Sequence, residues 1–167
     1  MNITAQQIAA IAPEAAPYAR RYVSYINGYA DTFGISTPLR MCHYLAQILH
    51  ESDCLHHTVE QGPRSYFDKY DQGRLTTMLG NTQPGDGFRY RGRGLIQITG
   101  RANYQAYQSS RFCRGDIMAS PELLEKPLGA VKSSMWWWMA HDLNSLAAKD
   151  NIERITRIIN GGTNGVT

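Results

Sequence analysis

The sequence predicts an α+β protein, mostly helical, with a small β-containing lobe near its middle. Three observations carry this. Apolar residues recur at helical spacing up to Leu55 and again after Asn103. Turn signals crowd the stretch from Glu60 to Asp86: Gly62-Pro63, Asp71, Gly73, Gly80-Asn81 and Pro84-Gly85-Asp86-Gly87. Phe88–Thr99, rich in arginine, aromatic residues and isoleucine, reads as two short strands around Gly92 and Gly94. The chain has 167 residues, which fits one domain: a helical lobe of about 1–59 and 103–167 and a loop/β lobe of about 60–102.

Each element has a local cause. Thr4 caps a short helix through Ile8 and Ile11, which Pro13 ends. Pro17 opens a second helix whose stripe is Tyr18, Tyr22, Tyr25, Ile26, Tyr29 and Phe33, one face at 3.6-residue period, stopped by Gly34. Those tyrosines read as a core-facing stripe. Thr37-Pro38 opens a third helix with Met41, Tyr44, Leu45, Ile48 and Leu49 buried, and Ser52 and Leu55 continuing the face. Ser120-Pro121-Glu122 marks another helix start. Ala130–Ala148 reads as one long helix, with two of Trp136, Trp137 and Trp138 in the core. Ile152, Ile155 and Ile159 form a last helix ended at Gly161-Gly162.

Composition narrows the function classes. With 43% hydrophobic residues and a net charge of +3, disorder, collagen-like and coiled-coil classes are excluded. No stretch approaches the ~18 apolar residues of a membrane span. Met1–Ala10 lacks a basic region before an apolar run, so synthesis in the cytoplasm without an ordinary signal peptide is expected. The pI near 8.8 implies mild attraction to polyanions, but without a Lys/Arg run or motif a nucleic-acid partner is not expected. Cys42, Cys54 and Cys113 are an odd number, which argues against a disulfide scaffold. On one helix Cys42 and Cys54 stand roughly 18 Å apart and cannot bridge; Cys113 stays open as a partner for either.

Glu51 lies roughly 90° from the centre of its helix stripe, at the edge of the buried face, with Gln47 one turn earlier on the same edge. A carboxyl half-covered there is one that desolvation can turn into a general acid, although position alone fits a solvated helix glutamate better. Glu60 is a candidate partner, with Asp53 and Asp86 as competitors. Nine residues of continuous helix turn about 900°, so Glu51 and Glu60 share a face only if the helix ends between them. Gly62-Pro63 allows that, with His56-His57 in the last turn. Two carboxyls across a cleft are what glycoside hydrolysis uses. His50-Glu51 begins like a zinc-protease motif, but Cys54 stands where the second histidine belongs. Cys54, His56 and His57 lack a fourth ligand at the usual spacing, so no metal or other cofactor is expected. No nucleophile elbow, dinucleotide motif or P-loop is present. Tyr66, Tyr70, Tyr90 and Tyr104 flank the same region in sequence and offer faces for sugars, though core packing accounts for most tyrosines.

The run Gly85-Asp86-Gly87-Phe88-Arg89-Tyr90-Arg91-Gly92-Arg93-Gly94-Leu95-Ile96-Gln97-Ile98-Thr99-Gly100-Arg101-Ala102-Asn103-Tyr104 closely resembles the signature of glycoside hydrolase family 19, the chitinases and related phage endolysins. Leu45-Ala46-Gln47-Ile48-Leu49-His50-Glu51-Ser52 resembles the helix that bears the family's general acid, and Ile158-Ile159-Asn160-Gly161-Gly162 is a third match in family order. The resemblance implies a lysozyme-like fold with a central cleft and cofactor-free, inverting cleavage of β-1,4 bonds in polymers containing N-acetylglucosamine. Glu51 matches the general acid, and Glu60 the second glutamate at the endolysin-like spacing. Thr99 matches the residue that holds the attacking water, and Gln97, Asn103 and Asn160 match sugar contacts. Gln47 and Tyr66 are further candidates for substrate contact, and Tyr90 and Arg93 belong to the signature and are expected to shape the site. The cysteine pattern of plant chitinases and a chitin-binding module are absent from this sequence, which favours peptidoglycan over chitin as substrate. A monomer acting on the bacterial wall, with a holin or secretion machine for export, completes the expectation. A wall-binding module that no longer cleaves is the competing class.

Overall fold

The computed structural model describes residues 2–160. The expected terminator Gly161-Gly162 lies outside the described residues. Helices dominate. Thr4 caps α1 (Ala5–Ile11) through a reciprocal box: its Oγ1 accepts from Gln7 N–H at 3.2 Å, and Gln7 Oε1 accepts from Thr4 N–H at 2.9 Å.

The tyrosine stripe does not lie on one helix. It is divided between α2 (Ala16–Ala19), α3 (Val23–Tyr29) and a 3₁₀ turn at Asp31–Phe33. Arg20, Tyr22 and Ala30 keep right-handed helical dihedrals, and Arg21 and Tyr22 N–H reach back three residues to Tyr18 and Ala19. Local overwinding therefore divides the helix without turning its stripe away, and Tyr22, Ile26 and Phe33 stay buried. Gly34, at φ 75°, ends the run as expected.

The central element is α4 (Pro38–Glu51), capped by Thr37 with proline at its first position. Met41, Tyr44, Leu45, Ile48 and Leu49 are buried on it. Tyr44 packs edge-on against Trp138, ring centres 5.6 Å apart, and its hydroxyl pairs with Ser134 Oγ at 2.6 Å.

α5 (Gly73–Leu79), α6 (Asp86–Arg89) and α7 (Arg101–Gln108) follow. The expected strands over Phe88–Thr99 are not formed. Among the described residues only isolated bridges occur, Val59 with Arg93 and Arg93 with Ile98. Gly94 at φ 81° and Gln97 at φ 58° keep the chain turning, so no extended run accumulates. Gly94 also needs its missing side chain, since a Cβ there would stand 2.7 Å from Ser133 Oγ. Ser120 precedes a 3₁₀ turn, Pro121–Glu125, without capping it through its side chain.

The expected long C-terminal helix is two: α8 (Pro127–Ala140) and α9 (Leu143–Ala147). Asp142 turns left-handed between them, with its carboxylate accepting from Ser145 Oγ at 2.6 Å. Only Trp138 of the three tryptophans is fully buried; Trp136 and Trp137 are half-buried against the core. Last comes α10 (Ile152–Asn160), seated by Ile155 and Thr156. The three cysteines are free, which closes the possibility of a Cys113 bridge. No helix among the described residues is long and apolar enough to cross a membrane.

Candidate active site

The helix does end between the two glutamates. Glu51 is the last residue of α4, and Ser52 caps it. Asp53, Cys54 and Leu55 then take positive φ of 49°, 54° and 68°, a left-handed turn that reverses the chain. Ser52 is fully buried and holds this turn: its Oγ donates to Ile48 O at 2.5 Å and accepts from Leu55 N–H at 2.8 Å. Leu55 reaches the core through the turn, not along a continued helix. His56 and His57 likewise lie beyond it and not in the last helical turn.

Glu60 is fixed by the segment around Gly92. Its N–H donates to Gly92 O at 2.8 Å, and its Oε2 accepts from Gly92 N–H at 3.2 Å. Tyr70, from the 3₁₀ segment Arg64–Asp71, donates its hydroxyl to Glu60 Oε1 at 2.8 Å. A Cβ at Gly92 would sit 2.7 Å from Gln97 Oε1 and 3.2 Å from Thr99 Oγ1, so only glycine lets this backbone serve both sides.

These side chains meet at one open pocket of about 480 Å³. His50 and Glu51 from α4 and Ile159 and Asn160 from α10 form one part of its wall. Glu60, Tyr70, Ile96, Gln97 and Thr99 form the rest. Burial pushes the Glu51 carboxyl above its ordinary value, against a weaker opposing pull from His50. Burial and the bond to Glu60 push the Tyr70 phenol up, so it stays a proton donor at neutral pH. Thr99 Oγ1 donates to Gln97 O at 2.9 Å, which leaves its lone pairs as acceptors. Asn103 Nδ2 donates to Thr99 O at 2.7 Å and reaches the pocket only through that residue.

Other expected site residues are placed differently. Gln47 is buried, donating to Thr156 Oγ1 at 3.1 Å, which ties α4 to α10. Tyr90 and Arg93 are 3% and 5% exposed and do not line this pocket. Arg93 is held by Glu125 at 2.7 Å and by Arg89 O and Tyr104 Oη, which braces the segment. Tyr66 is exposed away from the pocket wall, with Lys69 Nζ 3.4 Å from its ring centre. Asp53 and Asp86 do not line the pocket either: Asp53 faces solvent, and Asp86 is buried against Arg101. Among the described residues, the metal-ligating atoms that gather are those of Asp53, His56 and His57, within 4.8 Å of one another, without Cys54. The sequence offers Tyr70 only as one of four tyrosine faces for sugars, and its hydrogen bond to Glu60 is what spacing does not show.

The family model described as chitinase class I matches residues 26–156. A glycosyl hydrolase family 19 domain-containing protein of Haemophilus influenzae is 43% identical over 88 residues, 52% of this chain and 40% of its own length. An endochitinase of Pisum sativum is 29% identical, over 81% of this chain and 50% of its own. This chain thus spans about half or less of these curated relatives. Among solved structures, chitinase C of Streptomyces griseus HUT6037 matches with a TM-score of 0.67 at 20% identity, covering 95% of this chain and 79% of that one. A bacterial family 19 chitinase matches at TM-score 0.57 and 18% identity, covering 94% of each chain. The class these matches define is that of the glycoside hydrolases. The chain belongs to glycoside hydrolase family 19.

Proposed function

We propose that this protein hydrolyses β-1,4 glycosidic bonds in peptidoglycan by inversion, with Glu51 as general acid and Glu60 as base. One observation carries the reading: two glutamates line one pocket in unlike surroundings. Glu51 is half-buried and holds its proton to higher pH, as a donor to a leaving oxygen must. Glu60 is oriented by Tyr70 and Gly92, as a carboxylate aimed at a water should be. Thr99 offers that water an acceptor, and Gln97 and Asn160 offer amides to the sugar. Gln47, Tyr90, Arg93 and Asn103 act behind these as positioning residues.

The pocket draws Glu51 and Asn160 from the ranges 1–59 and 103–167, and Glu60, Gln97 and Thr99 from 60–102. In this reading it is a cleft between two lobes, with the bacterial wall as the place of action. Inversion needs the carboxyls roughly 6.5–9.5 Å apart, with a water between base and sugar. Proton NMR of a fresh digest tests it: the α-anomer is expected first from a β-linked polymer, and the β-anomer first overturns inversion.

Chitin is the second reading, favoured by the endochitinase named among the relatives. Lysis of chloroform-permeabilised Gram-negative cells, run beside cleavage of chitin oligomers, decides between them. Turnover of chitin alone removes peptidoglycan as the substrate. Binding to sacculi without new reducing ends makes the protein a wall-binding module.

A further inference from the structure

A second cavity, of about 510 Å³, is lined by Arg64, Arg89, Arg91, Arg93 and Arg101. Only two carboxylates, Asp86 and Glu122, share that lining, so it holds five guanidinium groups against two acids. Two of the five are neutralised: Arg93 by Glu125 and Arg101 by Asp86, both at 2.7 Å. Arg64, Arg89 and Arg91 have no carboxylate partner among the described residues. Arg89 donates from Nη2 to the Met118 and Ala119 carbonyls and from Nε to Tyr90 Oη, which leaves Nη1 to meet an anion. Arg64 and Arg91 both stack on Phe88, 5.1 and 4.2 Å from its ring centre. Arg91 also donates Nη1 to Phe88 O at 2.8 Å, so two cations share one ring with no carboxylate among the described residues in contact with either. Guanidinium forks suit a carboxylate.

The cavity's place says whose carboxylate. Arg91 and Arg93 flank Gly92, whose backbone holds Glu60. Arg91 is therefore one residue, about 3.8 Å of backbone, from the glycine that holds the proposed base. Chitin carries only hydroxyls and neutral acetamides and offers the unneutralised arginines no anion. Peptidoglycan carries on every second sugar a lactyl ether that continues into a peptide with free carboxylates. Such a peptide, extended, covers about 3.3 Å per residue, so three or four residues reach about 10 Å from the sugar that bears them.

We propose that the pocket of Arg64, Arg89 and Arg91 binds a carboxylate of the peptidoglycan stem peptide while the glycan lies in the Glu51–Glu60 pocket. This rests on the reading of the chain as a peptidoglycan hydrolase and makes the stem peptide a specificity determinant for it. The test compares soluble glycan strands that keep their stem peptides with the same strands stripped by an amidase, each cleaved by the whole chain. The peptide-bearing strands are expected to show a KM lower by about tenfold, the scale of one charge-assisted contact in water. That ratio should shrink as salt is raised. Arg64→Glu, which reverses one exposed charge of the pair, should bring the ratio below twofold, and Arg64→Gln provides the same readout if the reversal fails to fold. Equal KM for both strand types in the unaltered protein overturns the stem-peptide site and leaves peptidoglycan hydrolysis standing. A preference that folded Arg64 variants leave unchanged does the same. Cleavage of chitin oligomers with neither strand type cut overturns the hydrolase reading, and this inference with it.

Discussion

Glu51 sits where a helix ends and its core face begins, and that position sets its chemistry. Burial raises the carboxyl's proton affinity, and nearby His50 opposes this less strongly. The raised folded value means that ionisation is costlier in the fold than in the open chain. Glu51 therefore subtracts stability as pH rises from its ordinary value through the raised one. Glu51→Gln removes that penalty. Its melting temperature should exceed the parent's at neutral pH and converge with it well below pH 4, while turnover falls about 10²–10⁴-fold. Wild-type turnover in the folded variant would show another residue to be the acid. Tyr70→Phe removes a single donor from Glu60, so kcat should fall about tenfold with little change in KM or melting temperature. The assignment of Glu51 as acid came from the resemblance of Leu45–Ser52 to the family's helix, while its half-buried place was legible because its angle on the stripe could be counted. Tyr70 was not, because its reach to Glu60 depends on how the 3₁₀ segment Arg64–Asp71 curls back, which no period in the sequence encodes.

At the scale of elements, the turn after α4 decides whether Glu51 and Glu60 meet. Three consecutive non-glycine residues at positive φ are costly, about 1–2 kcal/mol each for ordinary side chains. Burial of Leu55 and the two hydrogen bonds of Ser52 oppose that cost. Ser52→Ala would leave the Leu55 N–H buried without a partner, and chemical denaturation should show a loss of about 1–3 kcal/mol. Activity should fall with it, since the turn aims both carboxyls; Ser52→Thr, which keeps the hydroxyl, should recover most of both. The start of α4 was readable in Thr37-Pro38, a cap followed by a residue preset for the first turn. The left-handed turn was not readable, because nothing in Asp53-Cys54-Leu55 is glycine or asparagine. The strands expected at Phe88–Thr99 failed for the opposite reason. Ile96 and Ile98 alternate like strand residues, yet backbone reversals at Gly94 and Gln97 override that local preference.

Across the whole molecule, the helical stripes before Leu55 and after Ala130 share one apolar core, and periodicity was enough to foresee it. The stretch between them has a smaller apolar cluster and two ion pairs, Arg93 with Glu125 and Arg101 with Asp86, which periodicity cannot show. Asp86 is its anchor. It accepts from Arg101 Nε and Nη2 at 2.7 Å each and from the Thr82 and Gln83 N–H groups at 2.9 Å, joining the turn before α6 to α7. Burial alone would raise the Asp86 carboxyl; the hydrogen bonds from Arg101 and the two backbone groups outweigh it and hold it below the usual carboxylate range. Its stabilising contribution is therefore complete above the ordinary aspartate value, near 3.8, and is lost as pH falls through the lowered one. In Asp86→Asn the neutral amide removes this titration, so the fall in stability between pH 4 and pH 2 should be shallower than in the parent, from a lower starting point. Arg101→Met leaves the carboxylate buried and unpaired. It should cost about 3 kcal/mol at neutral pH, the low end for a broken buried pair, because the guanidinium is partly in solvent. Hydrogen exchange then locates the damage. If charge holds this middle stretch independently of the core, amides of residues 72–104 should lose protection in Arg101→Met while those of α4 and α8 keep theirs. Uniform loss in all three would mean that the two apolar clusters and this ion pair unfold as one unit.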